Sequence, residues 1–148
     1  LERGKASTSS THISNIEEVK SLLKRNSRKL KFVSIDASLI KIKDLVSVMQ
    51  RAKIVVGIHG GQMANIVFAQ ADKNTSIIEV AGRQTYWKSY YYNGMSSNFD
   101  YHLVPRLCKS RGAMLHPNGA DLKFKKCSSN IFVSIDDFNL ALNKALEF

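Results

Sequence analysis

The sequence predicts an α/β fold: a parallel sheet with helices on both faces. Two observations predict it. Segments with helical spacing of apolar residues alternate with segments of strand character, in the order helix, strand, helix, strand, helix, strand. That order is the pattern of crossover-connected parallel strands. Two of the strands, "KIVVGI" and "TSIIEV", are also continuous apolar runs rather than alternating ones. A strand covered on both faces reads that way.

The elements follow in chain order. Ser14 stands three residues before Glu17 as a capping box, and Ile16, Val19, Leu22 and Leu23 recur at helical spacing, predicting a helix over about 15–26. "KLKFVSID" predicts a strand over about 30–35. Ile42, Leu45, Val46 and Met49 predict an amphipathic helix that ends near Arg51. "KIVVGI" is the next strand, and a short helix starts at about Gln62. "TSIIEV", residues 75–80, is another buried strand. Residues 85–96, "TYWKSYYYNGMS", predict a helix that breaks near Gly94, and "YHLVP" a last short strand. The stretch 106–130 has no clear period and reads as a long loop within a single domain of residues 1–148. Ser134 with Asp137 caps a final helix carrying Phe138, Leu140, Leu142 and Leu146.

Composition bounds the function classes. With 148 residues and 44% hydrophobic content, the chain has the material of one globular core. No segment approaches the roughly 18 apolar residues of a membrane span. The chain opens at Leu1 with "LERGK", which we read as a piece of a longer protein, so compartment is not assigned: the secretory lumen for a eukaryotic protein, the cytoplasm or membrane periphery for a bacterial one. Lys and Arg number 22 against 12 Asp and Glu, a formal charge of +10 that favours anionic partners. The basic residues are scattered, with one band from Lys20 to Lys31 and another from Arg106 to Lys126, and solvated faces explain most of them, whereas the aromatic residues cluster over 86–101. Nucleic-acid recognition interleaves the two, so no nucleic-acid partner is expected. Cys108 and Cys127 sit in no CxxC pattern, and the four histidines show no ligand spacing, so no metal site is expected. Whether the two thiols pair is left open.

The strongest local signal is "IVVGIHGGQMANIVFAQ", residues 54–70. A buried strand stops at His59, Gly60 and Gly61, and a short helix begins at once. Ligands of open α/β sheets bind at the carboxyl ends of strands. A glycine turn lets the backbone approach a ligand, and the helix N-terminus that follows attracts phosphate. His59 stands at the mouth and can donate a hydrogen bond. The bland alternative is a tight turn that binds nothing, with His59 capping a strand end. "HGG" is neither GxGxxG nor GxxxxGK[ST], so a dinucleotide fingerprint and a P-loop are both unsupported.

"IVVGIHGGQMANIVFA" resembles the G-x-H-G-A-G-L-T-N-x-x-F segment of glycosyltransferase family 61, which includes protein O-linked GlcNAc transferases of the endoplasmic reticulum and plant xylosyl- and arabinosyltransferases. Other segments resemble the family in order. "LERGK" is similar to a strand end with a basic pair, here Arg3 and Lys5, and "HISNIEEVKSLL" to a helix start with Asn15, Glu17 and Glu18 in register. "SLIKIKDLVSVMQRAKIVVGIHG", "SIIEV" and "IFVSIDDFNLALNKALEF" complete the likeness. Where the family has Ala-Gly-Leu-Thr, this chain has Gly61, Gln62, Met63 and Ala64, and Lys53 replaces an aspartate.

The resemblance implies a Rossmann-like domain that is the carboxyl-terminal, donor-binding half of a GT-B enzyme. The implied reaction is inverting and metal-independent, with no cofactor beyond the donor. Its partners are a nucleotide-sugar donor, UDP-linked, a glycan or protein hydroxyl acceptor, and an amino-terminal acceptor domain. Without that domain the chain alone is expected not to transfer sugar, and no catalytic residue is assigned. A leaving diphosphate needs positive charge and N–H donors. Arg3, His59, Gly60, Gly61, Gln62 and Met63 are the candidates for it. Asp36, Ala37, Ser38 and Glu79 are the candidates for base and ribose, with an edge charge as the alternative for Glu79. Tyr86 and Trp87 are stacking candidates or core. The rival reading is a non-catalytic Rossmann-like module that binds an anionic nucleotide or a partner.

Overall fold

The computed structural model describes residues 12–26, 30–36, 39–70, 74–81, 98–110, 113–114 and 130–147. Strand β1 (His12–Ile13) leads into helix α1 (Ile16–Asn26), and helix α2 (Ile42–Met49) into strand β2 (Ile54–Ile58). A 3-10 helix (Gly61–Phe68) separates β2 from β3 (Ser76–Ala81). Then come β4 (Asp100–Ser110), β5 (Ala113–Met114), β6 (Asn130–Val133) and helix α3 (Ile135–Glu147).

The strands form one sheet in the order β1-β6-β4-β3-β2, with β5 on β4. β2, β3 and β4 are mutually parallel, as the continuous apolar runs predict. The register places Gly57 opposite Glu79 and Glu79 opposite Leu103. β6 adds to the far side of β4 in the antiparallel sense, and β1 pairs parallel to β6.

Each face of the sheet carries its own core. On one, Val19 and Leu22 of α1 and Phe138, Ala141, Leu142 and Ala145 of α3 pack on Ile78, Val80, Val104, Ile131 and Val133. On the other, Leu45 and Met49 of α2 and Met63 and Ile66 of the 3-10 helix pack with Val55, Ile77 and Phe99. Adjacent residues Ile77 and Ile78 thus serve opposite cores, which is why "TSIIEV" has no polar alternation. The result is the Rossmann-like α/β arrangement that the sequence predicts.

Helix α1 is organised at its start by Asn15 rather than by the expected Ser14–Glu17 box. The Asn15 amide donates to the Val133 carbonyl at 2.8 Å, and its oxygen accepts from the Val133 N–H at 3.0 Å. A side chain thereby completes the backbone pairing of β6. Helix α3 is capped as expected, with the Asp137 N–H donating to Ser134 Oγ at 3.3 Å.

Two expectations are corrected. The predicted strand over 30–35 is not a strand, and only Asp36 makes a bridge contact. Its alternation serves packing instead: the Lys24 ammonium lies 6.0 Å from the Phe32 ring centre, and Ile35 packs against the α2 core. The predicted loop over 106–130 is partly strand, because β4 continues to Ser110, pairing Arg106–Cys108 with β6 and Lys109–Ser110 with β5. The short helix expected after the glycine turn is present, as a 3-10 helix over Gly61–Phe68. The predicted helix over 85–96 lies outside the described residues.

Candidate functional site

The parallel strands β2, β3 and β4 end on the same side of the sheet. His59 continues the ladder one step past β2, its N–H donating to the Val80 carbonyl at 2.9 Å. The chain then turns at Gly60, with φ 150 and ψ −179. A side chain at that φ is sterically opposed, so glycine is required there. Gly61 is different: a Cβ added to it would meet nothing within 4 Å. The first bond of the 3-10 helix runs from the Met63 N–H to the Gly60 carbonyl at 2.8 Å. The N–H groups of Gly61 and Gln62 stand ahead of it, at the mouth of the turn.

The turn is anchored from below. Met63 is fully buried, and its Sδ occupies the space where a Cβ at Gly57 would lie. Gly57 is therefore a notch in β2 that receives the first buried side chain of the 3-10 helix. The strand's one glycine and the helix's methionine fit as a pair.

Beside that notch sits a buried carboxylate. Glu79 is 3% exposed. Its Oε1 lies 2.7 Å from His59 Nδ1, and its Oε2 accepts from the Tyr101 hydroxyl at 2.6 Å. The register explains the cluster. His59 lies two residues beyond Gly57, and Tyr101 two residues before Leu103, so both are diagonal neighbours of Glu79 on one face. Burying a carboxylate is costly unless both oxygens are matched by donors, and here both are engaged. The His59 side chain is 18% exposed, so the ring bridges a buried anchor and the surface.

The sequence-predicted residues divide as follows. His59, Gly60, Gly61 and Gln62 converge at the turn. Met63 lies directly beneath it, with its side chain in the core and its N–H committed to Gly60. Glu79 stands next to His59 rather than apart from it. Asp36 is half-buried, and its carbonyl accepts from the Leu39 N–H at 3.1 Å. Arg3, Ala37, Ser38, Tyr86 and Trp87 lie outside the described residues. Tyr101 was not anticipated. The signal that finds it is register, since Tyr101 and Glu79 meet only when β3 and β4 are aligned.

Two other features lie elsewhere. A groove of about 450 Å³ runs between α1, residues 30–35 and β2, and neither His59 nor Gly60 lines it among the described residues. At the opposite end of β3, Asp100 accepts from Ser76 Oγ at 3.0 Å and lies 2.6 Å from His102 Nε2. Ser76 Oγ also lies 3.4 Å from the Ala145 carbonyl, so this cluster ties α3 to the sheet. Among the described residues, no three His, Cys, Asp or Glu stand close enough to hold a metal ion.

A model of the family described as Glycosyltransferase 61 matches residues 1–78, just over half of the chain. The matched span contains β2, the glycine turn and the 3-10 helix, and stops one residue short of Glu79. No curated protein sequence matches the chain.

Proposed function

The chain belongs to the glycosyltransferase 61 family, and from that premise we propose that it forms the donor-binding domain of an inverting, metal-independent glycosyltransferase using a UDP-linked sugar. The observation that carries this reading is the turn at Gly60, at the carboxyl end of the central parallel strands, with His59 beside it. Backbone N–H groups and an imidazole at such a place suit a diphosphate.

In this reaction an acceptor hydroxyl attacks the anomeric carbon from the face opposite the leaving group. The bond from that carbon to the diphosphate oxygen breaks, and the electron pair leaves with the nucleoside diphosphate. The hydroxyl proton passes to a base that belongs to the acceptor side, on another domain of the whole protein. This chain's part is to stabilise the charge that develops on the leaving oxygens. Gly61 and Gln62 offer N–H groups, His59 offers a ring nitrogen, and Arg3 a bidentate cation. On this reading Asp36, Ala37 and Ser38 are the candidates to meet the base.

The test is calorimetric titration of the intact protein with UDP, GDP and CMP, with and without EDTA. The expected result is a preference for UDP, unchanged by chelation. Absence of binding at millimolar nucleotide, or a strict requirement for a divalent cation, overturns the proposal.

A further inference from the structure

We infer that the groove beside β2 is a strand position of this sheet, and that its occupant is the segment ahead of α1, residues 1–11, entering parallel to β2 and bringing Arg3 out beside the Gly60 turn. The strand position is independent of the donor-site reading above; what Arg3 does at the turn rests on it.

The groove has the outline of a strand. β2 is the last strand along the described sheet, and all of Ile54–Ile58 lines the groove. One side is covered by α1 and α3 and the other by α2, through Val19, Leu142 and Met49. The far wall is residues 30–35, where Phe32 meets Lys24 of α1 and Ile35 packs with the α2 core. That wall touches both layers, as the next position of a sheet does. Neighbouring strands lie about 4.8 Å apart, so one interposed strand holds its two neighbours about 10 Å apart. The hand of the crossovers says which segment belongs there. Nearly all crossovers between parallel strands are right-handed, so two whose helices cover opposite faces must step in opposite directions along the sheet. α2 carries the chain from residues 30–35 across the groove to β2, and the 3-10 helix, on the same face, carries it on to β3. α1 covers the other face and therefore steps the opposite way. The segment that feeds α1 thus stands on the β2 side of residues 30–35, and the groove is the nearest position there. β1 is two residues long and sits at the far edge on β6, from where a crossover would have to span the whole sheet.

Direction follows from the start of α1. Asn15 pairs with Val133, which lies opposite Arg106, one residue past the last pairing of β3 with β4. α1 therefore begins at the carboxyl edge of the parallel strands, and the segment that feeds it ends there, parallel to β2. Reach and chemistry agree. Ile13 itself lines the groove, so the chain enters the described structure at the groove wall. Residues 1–11 span up to about 36 Å when extended, against about 17 Å for the five residues of β2. Their sequence divides into "LERGK" and "ASTSST", and the small hydroxyl residues of the second part suit a link. The groove wall is mostly aliphatic, which suits Leu1, whereas a buried cation without a partner is costly. The register that satisfies both lays Leu1 beside β2 and lets Arg3 and Lys5 out at the carboxyl edge, next to His59. The crossover direction then reverses between this segment and β2, and at such a reversal open α/β sheets take their ligands.

The experiment is NMR on the isotopically labelled intact protein, read first without ligand. Nuclear Overhauser contacts are expected from residues 1–5 to β2 on one side and to residues 31–35 on the other, with the Leu1 methyl groups against the groove wall. Leu1→Asp is expected to abolish them and to lower the unfolding midpoint, while Ser9→Asp, in the link, leaves both as in wild type. Direct contacts between residues 31–35 and β2 mean that the groove closes on itself and overturn the inference. Contacts that arise only between differently labelled copies make a second chain the occupant and overturn it equally. The second measurement titrates UDP and inorganic pyrophosphate into wild type and Arg3→Gln. Both ligands are expected to weaken about tenfold, with the groove contacts retained. Binding of both that Arg3→Gln leaves unchanged refutes the placing of Arg3 at the turn. A wild type that binds neither ligand, yet shows the groove contacts, defeats the donor-site reading and leaves the strand position standing.

Discussion

Replacing Gly60 and Gly61 one at a time by alanine tests the backbone of the turn, because the two glycines are adjacent and only Gly60 has a positive φ. Gly60 has φ 150, and Gly61 has open space around its missing Cβ and no positive φ. A non-glycine residue in such a sparsely populated region costs about 1–3 kcal/mol. At about 2–4 °C of midpoint per kcal/mol for a chain of this size, Gly60→Ala lowers the unfolding temperature by roughly 2–12 °C. Gly61→Ala removes unfolded-state entropy at no steric cost, and is expected to be neutral or to stabilise by about 0.4–1 kcal/mol. Urea unfolding of the two variants against wild type measures the difference directly. Nucleotide titration of the same proteins then reports whether the turn's shape also sets affinity, with Gly60→Ala expected to lose binding. If Gly60→Ala proves no less stable than Gly61→Ala, the positive φ is not a feature of the folded protein and the account of the turn fails.

Three further outcomes follow from the same geometry. Gly57→Ala drives a methyl group into Met63 Sδ and is expected to cost about 1–3 kcal/mol. Met63→Ala in the same chain should recover part of that cost, and additive losses would refute the notch. Asn15→Leu strands the Val133 N–H and carbonyl without partners, for about 2–4 kcal/mol. Hydrogen exchange at Val133 and Ser14 that stays as slow as in wild type would contradict this. His59→Ala is expected to weaken UDP by about 1–2 kcal/mol and, by leaving the buried Glu79 Oε1 without its partner, to cost about 1–3 kcal/mol of stability; an unchanged dissociation constant would make the ring structural.

The central part of the fold was legible because its signals are one-dimensional. A strand covered on both faces must be apolar at every residue, and "KIVVGI" and "TSIIEV" are. The glycine turn was legible for the same reason, since a required positive φ leaves a glycine in the text. The misread segments depend on partners far away in sequence. "KLKFVSID" alternates as a strand does, yet Phe32 meets Lys24 and Ile35 meets the α2 core. Residues 106–110, "RLCKS", show no clear strand pattern of their own, and they are strand because β6 and β5 lie beside them. At the site, His59 and Glu79 were both marked, but as separate contacts to separate parts of a ligand. That they touch each other, with Tyr101 as third member, is set by strand register, and no local pattern encodes register across twenty residues.

The fit of Met63 into the hollow at Gly57 also constrains how this protein can drift. Two positions six apart in the sequence share one volume. A side chain gained at the strand position must be matched by volume given up at the helix position, and neither change is tolerated first. Selection acts on them as a single character with two letters. Because the residues between them form the turn, the spacing is held as firmly as the identities: an insertion there would carry the thioether out of its hollow and release the loop. In an alignment of relatives, residues 57 and 63 are expected to covary in size at fixed separation, even where the exposed neighbours at 64 and 67 vary freely.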